Sequence, residues 1–452
     1  MKRLFGTDGI RGIANQEPIT AQTTFQIGRA GAYLIKDRNN PQILIGKDTR
    51  ISGDMLESAL IAGICSLGVD VLKVGILPTP AVSYLTRFFQ ADYGVVISAS
   101  HNPFDNNGIK FFRGDGFKCS DSEEEEIEKV FFENYTKDMW PTGKDIGKIN
   151  YLTNQAIQEY LKYLKNTVPA DFNLRDFKIV IDCANGATFQ IAPQIFNQLG
   201  ANLTILNDQP NGININLDCG STQVNQLKKE VLIQKADLGL AYDGDGDRVI
   251  AIDEKGNIVD GDQIMAICAL NLLHKDQLPQ RRVVTTVMSN LGFDQLIERE
   301  GGTVIRTRVG DRYVLETMLQ NGAILGGEQS GHIIFLNHST TGDGLLTSLQ
   351  LMRIIQEEKK PLSVLATVMQ KYPQIMLNFQ VKKKELFFKN KNIQEILREI
   401  EKELDRKGRI FIRPSGTESL IRVLLEGEDK DRLKKISHKL SEVFQKEELG
   451  DW

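Results

Sequence analysis

Leu238-Gly239-Leu240-Ala241-Tyr242-Asp243-Gly244-Asp245-Gly246-Asp247-Arg248-Val249-Ile250-Ala251-Ile252-Asp253 joins two apolar runs through a loop with three carboxylates in five residues. Short apolar runs bounded by glycine and aspartate read as buried strands. Three carboxylates at alternate positions repel one another unless a cation sits between them, and an all-oxygen donor set suits Mg²⁺. Gly244 and Gly246 leave the backbone room to curl around an ion. Asp243, Asp245 and Asp247 also fit the first, third and fifth positions of a helix–loop–helix calcium site, with Glu254 at the twelfth. That reading fails on Arg248, which stands where such a loop needs glycine, and on flanks that read as strands. A solvated turn is the bland alternative; three acids after a buried strand favour a metal.

The same texture repeats on both sides of this loop. Ile43–Gly46 precedes helical periodicity across Asp54–Leu67. Val71–Val74, Tyr93–Ile97, Lys178–Asp182, Asn202–Leu206, Val283–Val287, Thr303–Thr307 and Ala323–Leu325 read as further strands. Strands alternating with helices predict α/β units with mixed, largely parallel sheets. Periodicity stops at Trp140–Lys148, which holds Pro141, Gly143 and Gly147. It stops again at the turn Glu254-Lys255-Gly256-Asn257 and at Tyr372-Pro373-Gln374. Beyond the last point the order becomes strand, helix, strand, strand, helix, over Ile375–Val381, Ile393–Leu404, Arg409–Ile412, Ile421–Leu425 and Lys430–Phe444. The expected domains are therefore residues 1–150, 151–253 and 254–371, all α/β, and an α+β domain over 372–452. The run Glu123–Glu126 after Ser120-Asp121 reads as the acidic first turn of a helix, favoured by the helix dipole.

Length and composition agree with this division. The chain has 452 residues, 41% hydrophobic and 25% charged, an ordinary globular balance. Lys and Arg number 55 against 59 Asp and Glu, a net charge of −4. Proteins that embrace duplex nucleic acid are usually basic, so that class is disfavoured. Five cysteines with no CxxC pair, and five histidines with no HxxxH pair, disfavour a disulfide framework and a zinc site. The opening MKRLFGTDGIRG lacks the apolar core of a signal peptide, and no apolar run approaches a membrane span. A cytoplasmic protein is expected. Glycine is the deviation: 39 residues against 13 prolines, which suggests tight, built loops rather than linkers.

Three more loops carry chemistry-bearing side chains. Ser98-Ala99-Ser100-His101-Asn102-Pro103 follows the run Tyr93–Ile97, at the carboxyl end of a strand where α/β folds bind ligands. A serine there could be a nucleophile, with His101 or a nearby lysine moving protons; the local sequence by itself favours the other reading, a hydroxyl cap before an Asn-Pro turn. Gly326-Gly327-Glu328-Gln329-Ser330-Gly331-His332 offers a carboxylate, an amide, a hydroxyl and an imidazole, a set suited to a polyhydroxylated ligand; a tight turn with a satisfied histidine is the alternative. Arg413-Pro414-Ser415-Gly416-Thr417-Glu418 can form an anion nest beside a guanidinium, with Arg422 as a second one; a plain hairpin turn is the alternative. Together the four loops describe phosphoryl chemistry on a sugar phosphate, in a site lying between domains.

These motifs, with Phe5-Gly6-Thr7-Asp8-Gly9-Ile10-Arg11-Gly12 and Val309-Gly310-Asp311-Arg312-Tyr313-Val314, resemble the α-D-phosphohexomutases over essentially the whole chain. The resemblance implies three related α/β domains and a C-terminal domain of the TATA-box-binding-protein-like type around a central cleft. It implies that Ser100 carries a phosphoryl group, and that Asp243, Asp245 and Asp247 hold one Mg²⁺ with a phosphoserine oxygen of Ser100 completing the site. It gives Glu328 and Ser330 to the sugar hydroxyls. Arg413, Ser415, Gly416 and Thr417, with Arg422, would hold the non-reacting phosphate. Arg11, His101, Lys110, His332 and Arg248 would serve charge balance and proton transfer.

The implied reaction passes a phosphoryl group from Ser100 to a sugar phosphate and back through a sugar 1,6-bisphosphate. The FGTDGIRG opening and VGDRYV are similar to the members acting on glucosamine phosphates. That implies interconversion of glucosamine 6-phosphate and glucosamine 1-phosphate on the route to UDP-N-acetylglucosamine, with glucose and mannose phosphates as the alternative. A small-molecule sugar phosphate is the partner expected, without nucleic acid or membrane; monomer and homodimer stay open. Two departures from the family pattern stand out: Ser419 follows Glu418 where many relatives have proline, and Arg308 lies where relatives often have lysine.

Overall fold

A computed structural model describes residues 4–6, 8–381, 387, 390–405, 408–414 and 420–446. The strands, in chain order, fall into four sheets. The first holds β1 (Ile10–Ile13), β2 (Gln42–Lys47), β3 (Asp70–Ile76), β4 (Tyr93–Ile97), β5 (Asn106–Arg113) and β6 (Ile149–Tyr151), in the order β1-β5-β4-β2-β3-β6. The second holds β7 (Lys178–Asp182), β8 (Asn202–Leu206), β9 (Leu238–Tyr242), β10 (Val249–Asp253) and β11 (Ile258–Val259), in the order β11-β10-β9-β7-β8. The third holds β12 (Arg282–Thr286), β13 (Thr303–Thr307), β14 (Leu325–Gly327) and β15 (Ile333–Phe335), in the order β13-β12-β14-β15. The fourth holds β16 (Gln374–Gln380), β17 (Gly408–Pro414) and β18 (Leu420–Gly427), with β18 central.

The first three sheets share one plan. Parallel strands form the middle: β4, β2, β3 and β6 in the first, β9, β7 and β8 in the second, β14, β12 and β13 in the third. On one side an antiparallel partner follows directly in sequence, β5 after β4, β10 after β9 and β15 after β14. The central strands β4 and β9 are apolar along their length because both faces are covered: Tyr93–Ile97 and Leu238–Tyr242 are buried at every residue, whereas the outer parallel strands β6, β8 and β13 are not. The plan puts a hairpin loop at the carboxyl end of a central strand in each sheet. Those loops contain Ser100, Asp243–Arg248 and Glu328–His332.

Two strands reach past the expected limits of their domains. Tyr151 still pairs with Lys73 in the first sheet. Ile258–Val259 pairs with β10, so the second sheet continues past residue 253 through the Glu254–Asn257 turn. The third-sheet strand expected over Ala323–Leu325 is Leu325–Gly327 instead, because glycines at 326 and 327 let the chain run past Val284 and Met265 where a Cβ would collide. The helix Asp121–Glu133 starts as its acidic first turn predicts, with Ser120 and Glu123 forming a reciprocal cap.

Contacts divide the chain into two compact units, Met1–Thr286 with Gly302–Val368, and Val287–Gly301 with Met369–Trp452. In the second, β16, β17 and β18 are antiparallel, and the helices Lys391–Leu404 and Lys430–Lys446 pack on them. That is the strand–helix–strand–strand–helix order read from the sequence. The helix Leu291–Arg299 belongs to this unit. The buried Glu426 on β18 accepts from Leu291 N–H at 2.9 Å and pairs with Arg409 at 2.5 Å, while Asn290 donates to the Tyr372 carbonyl at 3.0 Å.

Candidate active site

Ser100 sits in the left-handed region at φ 52° and is 1% exposed. Its hydroxyl donates to Asp243 Oδ2 at 2.6 Å and lies 3.3 Å from His101 Nδ1. Its N–H donates to Ser98 Oγ at 2.9 Å, and Ser98 Oγ donates to Asp48 Oδ2 at 2.6 Å. The buried Arg50 pairs with Asp48 at 2.8 Å and donates to the carbonyls of Ser100 (2.9 Å), Asn102 (2.8 Å), Asn106 (3.0 Å) and Pro103. The serine loop is thus organised by Asp48 and Arg50, which sequence reading missed. Their position was a usable signal: they follow β2 at its carboxyl end, where the rule that singled out Ser100 also applies.

Asp243, Asp245 and Asp247 bring one carboxylate oxygen each within 4.8 Å of one another, all buried. Burial pushes Asp243 well above the usual carboxylate range, and its neighbours Asp247 and Asp245 push the same way. Burial also works to raise Asp247, but His332 and Lys110 hold it below its ordinary value. Asp245 Oδ2 accepts from Thr79 Oγ1 at 2.7 Å and from Lys110 Nζ at 3.1 Å, while Asp245 Oδ1 and Asp247 Oδ1 have no hydrogen-bond partner. Buried carboxylate oxygens left without donors are costly. Three converging acids with two such oxygens fit a hard divalent cation, and the all-oxygen donor set is one that Mg²⁺ accepts.

A ring of charge surrounds this cluster. Lys110 is buried between Asp245 and Asp8, the latter at 3.3 Å; burial lowers its pKa, but the two carboxylates carry it above the lysine range. Asp8 also pairs with Arg11 and, at 2.5 Å, with Lys118, which reaches Asp311. His332 Nε2 accepts from Gly342 N–H at 3.0 Å, which places the ring proton on Nδ1, 3.4 Å from Asp247 Oδ2. Burial, with Arg248 nearby, lowers His101 to about 4, so its imidazole is neutral at physiological pH. Arg248 donates its N–H to Asp243 Oδ1 at 3.2 Å and carries its guanidinium 3.7 Å from Asp247.

These groups border a cavity of about 430 Å³, lined by Arg11, His101, Asp247, Arg248, Glu328 and His332 among others. Glu328 is fixed by Gly310 N–H on Oε1 at 3.0 Å and by Ser330 Oγ on Oε2 at 3.4 Å. Six of the residues singled out in the sequence line the cavity, Arg11, His101, Asp247, Arg248, Glu328 and His332, and Ser100, Lys110, Asp243 and Asp245 join them through the contacts above. Ser330 joins them through Glu328. Asp8, Lys118, Asp311 and Thr79 take part without having been assigned a role. Asp8 and Asp311 lie within the FGTDGIRG and VGDRYV motifs. In the second unit, Arg413 on β17 is the register partner of Arg422 on β18. Burial lowers the Arg413 guanidinium's pKa, and the Arg422 charge adds to that. Ser415, Gly416, Thr417 and Ser419 lie outside the described residues. Arg308, the other departure, stacks its guanidinium over Tyr313, 4.2 Å from the ring centre.

Family descriptions match along the chain in order. Phosphoglucomutase/phosphomannomutase alpha/beta/alpha domain I matches residues 2–138, domain II residues 158–256, domain III residues 260–372 and the C-terminal domain residues 376–443. The chain is 52% identical over 454 residues to the phosphoglucosamine mutase of Acetivibrio thermocellus, covering 100% of each. A phosphoglucomutase/phosphomannomutase family protein from Burkholderia thailandensis shares its fold at TM-score 0.80 and 22% identity, over 98% of this chain and 97% of that one. The Aspergillus fumigatus N-acetylphosphoglucosamine mutase, solved in complex with GlcNAc-6P and magnesium, aligns at TM-score 0.68 and 16% identity, over 97% of this chain and 95% of that one.

Proposed function

We infer the reaction from one premise: the chain belongs to the phosphoglucomutase/phosphomannomutase family of phosphohexomutases, and it is similar over its full length to a phosphoglucosamine mutase. It is an isomerase of the intramolecular phosphotransferase kind that interconverts glucosamine 6-phosphate and glucosamine 1-phosphate. Ser100 is the phosphoryl carrier, and the product forms by way of a 1,6-bisphosphate. The observation that carries this assignment is the Ser100 hydroxyl, 2.6 Å from the first of three clustered aspartates.

Asp243, Asp245 and Asp247, with an oxygen of phosphorylated Ser100, would hold Mg²⁺, which supplies charge neutralisation for the transferring group. The chain's own residues do the rest. A loose phosphoryl transition state needs alignment and compensating charge rather than covalent help. Arg248 and Lys110 bring positive charge to the reacting centre, and Arg11 stands at the cavity wall. His101, neutral and 3.3 Å from Ser100 Oγ, is placed to take the serine proton when the phosphoryl group returns. Glu328 and Ser330 face the sugar hydroxyls. The Arg413–Arg422 pair gains most from an anion that relieves the repulsion between two half-buried guanidinium groups, which is why we place the non-reacting phosphate there. Binding energy from that remote phosphate can then be used at the reacting one.

The experiment is a comparison of kcat/KM for glucosamine, glucose and mannose phosphates, on protein whose Ser100 phosphorylation has been measured by intact mass. A clear preference for glucosamine phosphate is expected. A preference for glucose or mannose phosphate would move the chain to the other branch of its family, and net phosphate release exceeding isomerisation would make it a phosphatase.

A further inference from the structure

The backbone of Ser100 is held across a domain boundary. Its carbonyl oxygen accepts two hydrogen bonds at 2.9 Å, one from Arg50 Nη2 and one from Asn216 Nδ2. The same two groups also share the Asn102 carbonyl, at 2.8 and 3.1 Å. Arg50 comes from the end of β2, in the domain that carries the serine. Asn216 comes from the loop after β8, in the domain that carries the aspartates. Asn216 is itself in the left-handed region at φ 58°, anchored by its N–H on the Ala184 carbonyl at 2.9 Å. The acidic loop presses on the same point: a Cβ on Gly244 would lie 2.6 Å from Ser100 O and 2.7 Å from Asn216 Nδ2. Only glycine fits there.

We propose that Asn216 is a positioning residue that ties the Ser100 loop to the domain bearing Asp243 and so sets the aim of Ser100 Oγ. The inference rests on the assignment of Ser100 as phosphoryl carrier. A serine held at positive φ is under strain that its surroundings must offset. Arg50 fixes the loop's shape within its own domain, with partners Asp48, Ser100, Asn102, Pro103 and Asn106. Its neighbours Thr49 and Ile51 bond to the aspartate-bearing domain, at the Asn185 carbonyl (2.5 Å) and the Gly212 carbonyl (2.8 Å), but among the described residues Arg50 itself makes no bond to that domain. Asn216 joins the Ser100 loop itself to that domain, through an amide that spans two carbonyls on one side and a loop adjoining Gly244 on the other. Misplacing a reacting oxygen by about an ångström is enough to lower a rate roughly a hundredfold.

Asn216→Gly removes both donors and keeps the left-handed backbone free of strain. We expect its kcat on glucosamine 6-phosphate to fall about 10- to 100-fold with KM within about twofold, because no group facing the sugar or the remote phosphate is touched. Amide exchange over residues 98–106 should quicken while the melting temperature holds. Asn216→Asp, the same shape with the donor replaced by an acceptor, should fall at least as far and carries the test where the glycine variant melts early. Wild-type kcat in both variants, a loss confined to KM, or unchanged exchange over 98–106 would overturn the proposal. A wild-type protein without turnover on any of the three sugar phosphates would overturn the mutase assignment instead, and the exchange measurement would still decide the role of Asn216.

Discussion

The hydroxyl of Ser100 points at a carboxylate that burial and two neighbouring acids make reluctant to ionise alone. Ser100→Ala should therefore abolish most isomerisation, by at least a thousandfold, yet bind glucosamine 6-phosphate with affinity close to wild type, since the contacts proposed for the sugar and the remote phosphate are elsewhere. Steady-state turnover and calorimetric titration measure the two, and unchanged turnover would remove Ser100 from the mechanism. Thr79 gives a subtler test. Its hydroxyl and Lys110 both hold Asp245 Oδ2, which leaves Oδ1 free to face the cluster. Thr79→Val should weaken Mg²⁺ binding about tenfold by loosening that carboxylate, with the fold intact by circular dichroism. Residues of this kind show why the site was only partly legible beforehand. Asp243, Asp245 and Asp247 announce themselves by adjacency in the sequence. Thr79, Asp8 and Lys118 are single polar residues whose meaning comes from partners more than a hundred positions away, apart from the Arg11 beside Asp8.

The elements explain where legibility was good. Leu238–Tyr242 and Tyr93–Ile97 are buried on both faces, so burial demands continuous apolar runs, and these are visible without a structure. The antiparallel partners β1 and β5 were harder to see, because Asn106–Arg113 mixes Lys110 and Arg113 into a strand and Lys110 is apolar only in its stem. Each of the first three sheets places its functional loop in the same kind of hairpin after a central parallel strand, and the Arg413 loop lies between the antiparallel β17 and β18. One helix start offers a stability test. Asp343 caps Gly344–Glu358, accepting from Leu346 N–H at 2.9 Å and from Tyr160 OH at 2.7 Å. Burial raises its pKa to about 6. An acid raised in the fold favours the native state below its unfolded value, and the benefit is lost as pH climbs through about 6, a full effect of about 3 kcal/mol. Asp343→Asn keeps the cap and removes the titration. Its stability relative to wild type, from urea denaturation, should rise by roughly 1.5 kcal/mol between pH 5 and pH 8; a constant difference would contradict the assignment.

Within the first compact unit, buried charges mark the line where its first and third α/β domains meet, beside Phe117, which packs on the third domain's apolar cluster. Lys118 stands at the end of the first domain's sheet, pairing with Asp8 of the same domain at 2.5 Å and with Asp311, the first residue of the helix Asp311–Asn321 in the third. Burial alone would lower the Lys118 pKa, but the two acids carry it above its ordinary value, and both acids in turn are held below theirs. Asp8 keeps Lys110 and Arg11 as partners when Lys118 is removed, whereas among the described residues Asp311 keeps the Arg312 N–H at 2.8 Å and no ion pair shorter than the 3.9 Å to the His332 ring. The cost of losing Lys118 should therefore fall on Asp311. Breaking a buried pair from one side typically costs about 3–5 kcal/mol, because the abandoned charge stays buried. Lys118→Met should destabilise this unit by that order and quicken amide exchange in residues 311–321. Lys118→Met with Asp311→Asn should recover most of the loss, since no bare carboxylate remains. Denaturation of the two single variants and the double variant closes the cycle, and a coupling under about 0.5 kcal/mol would mean that these charges do not join the two domains.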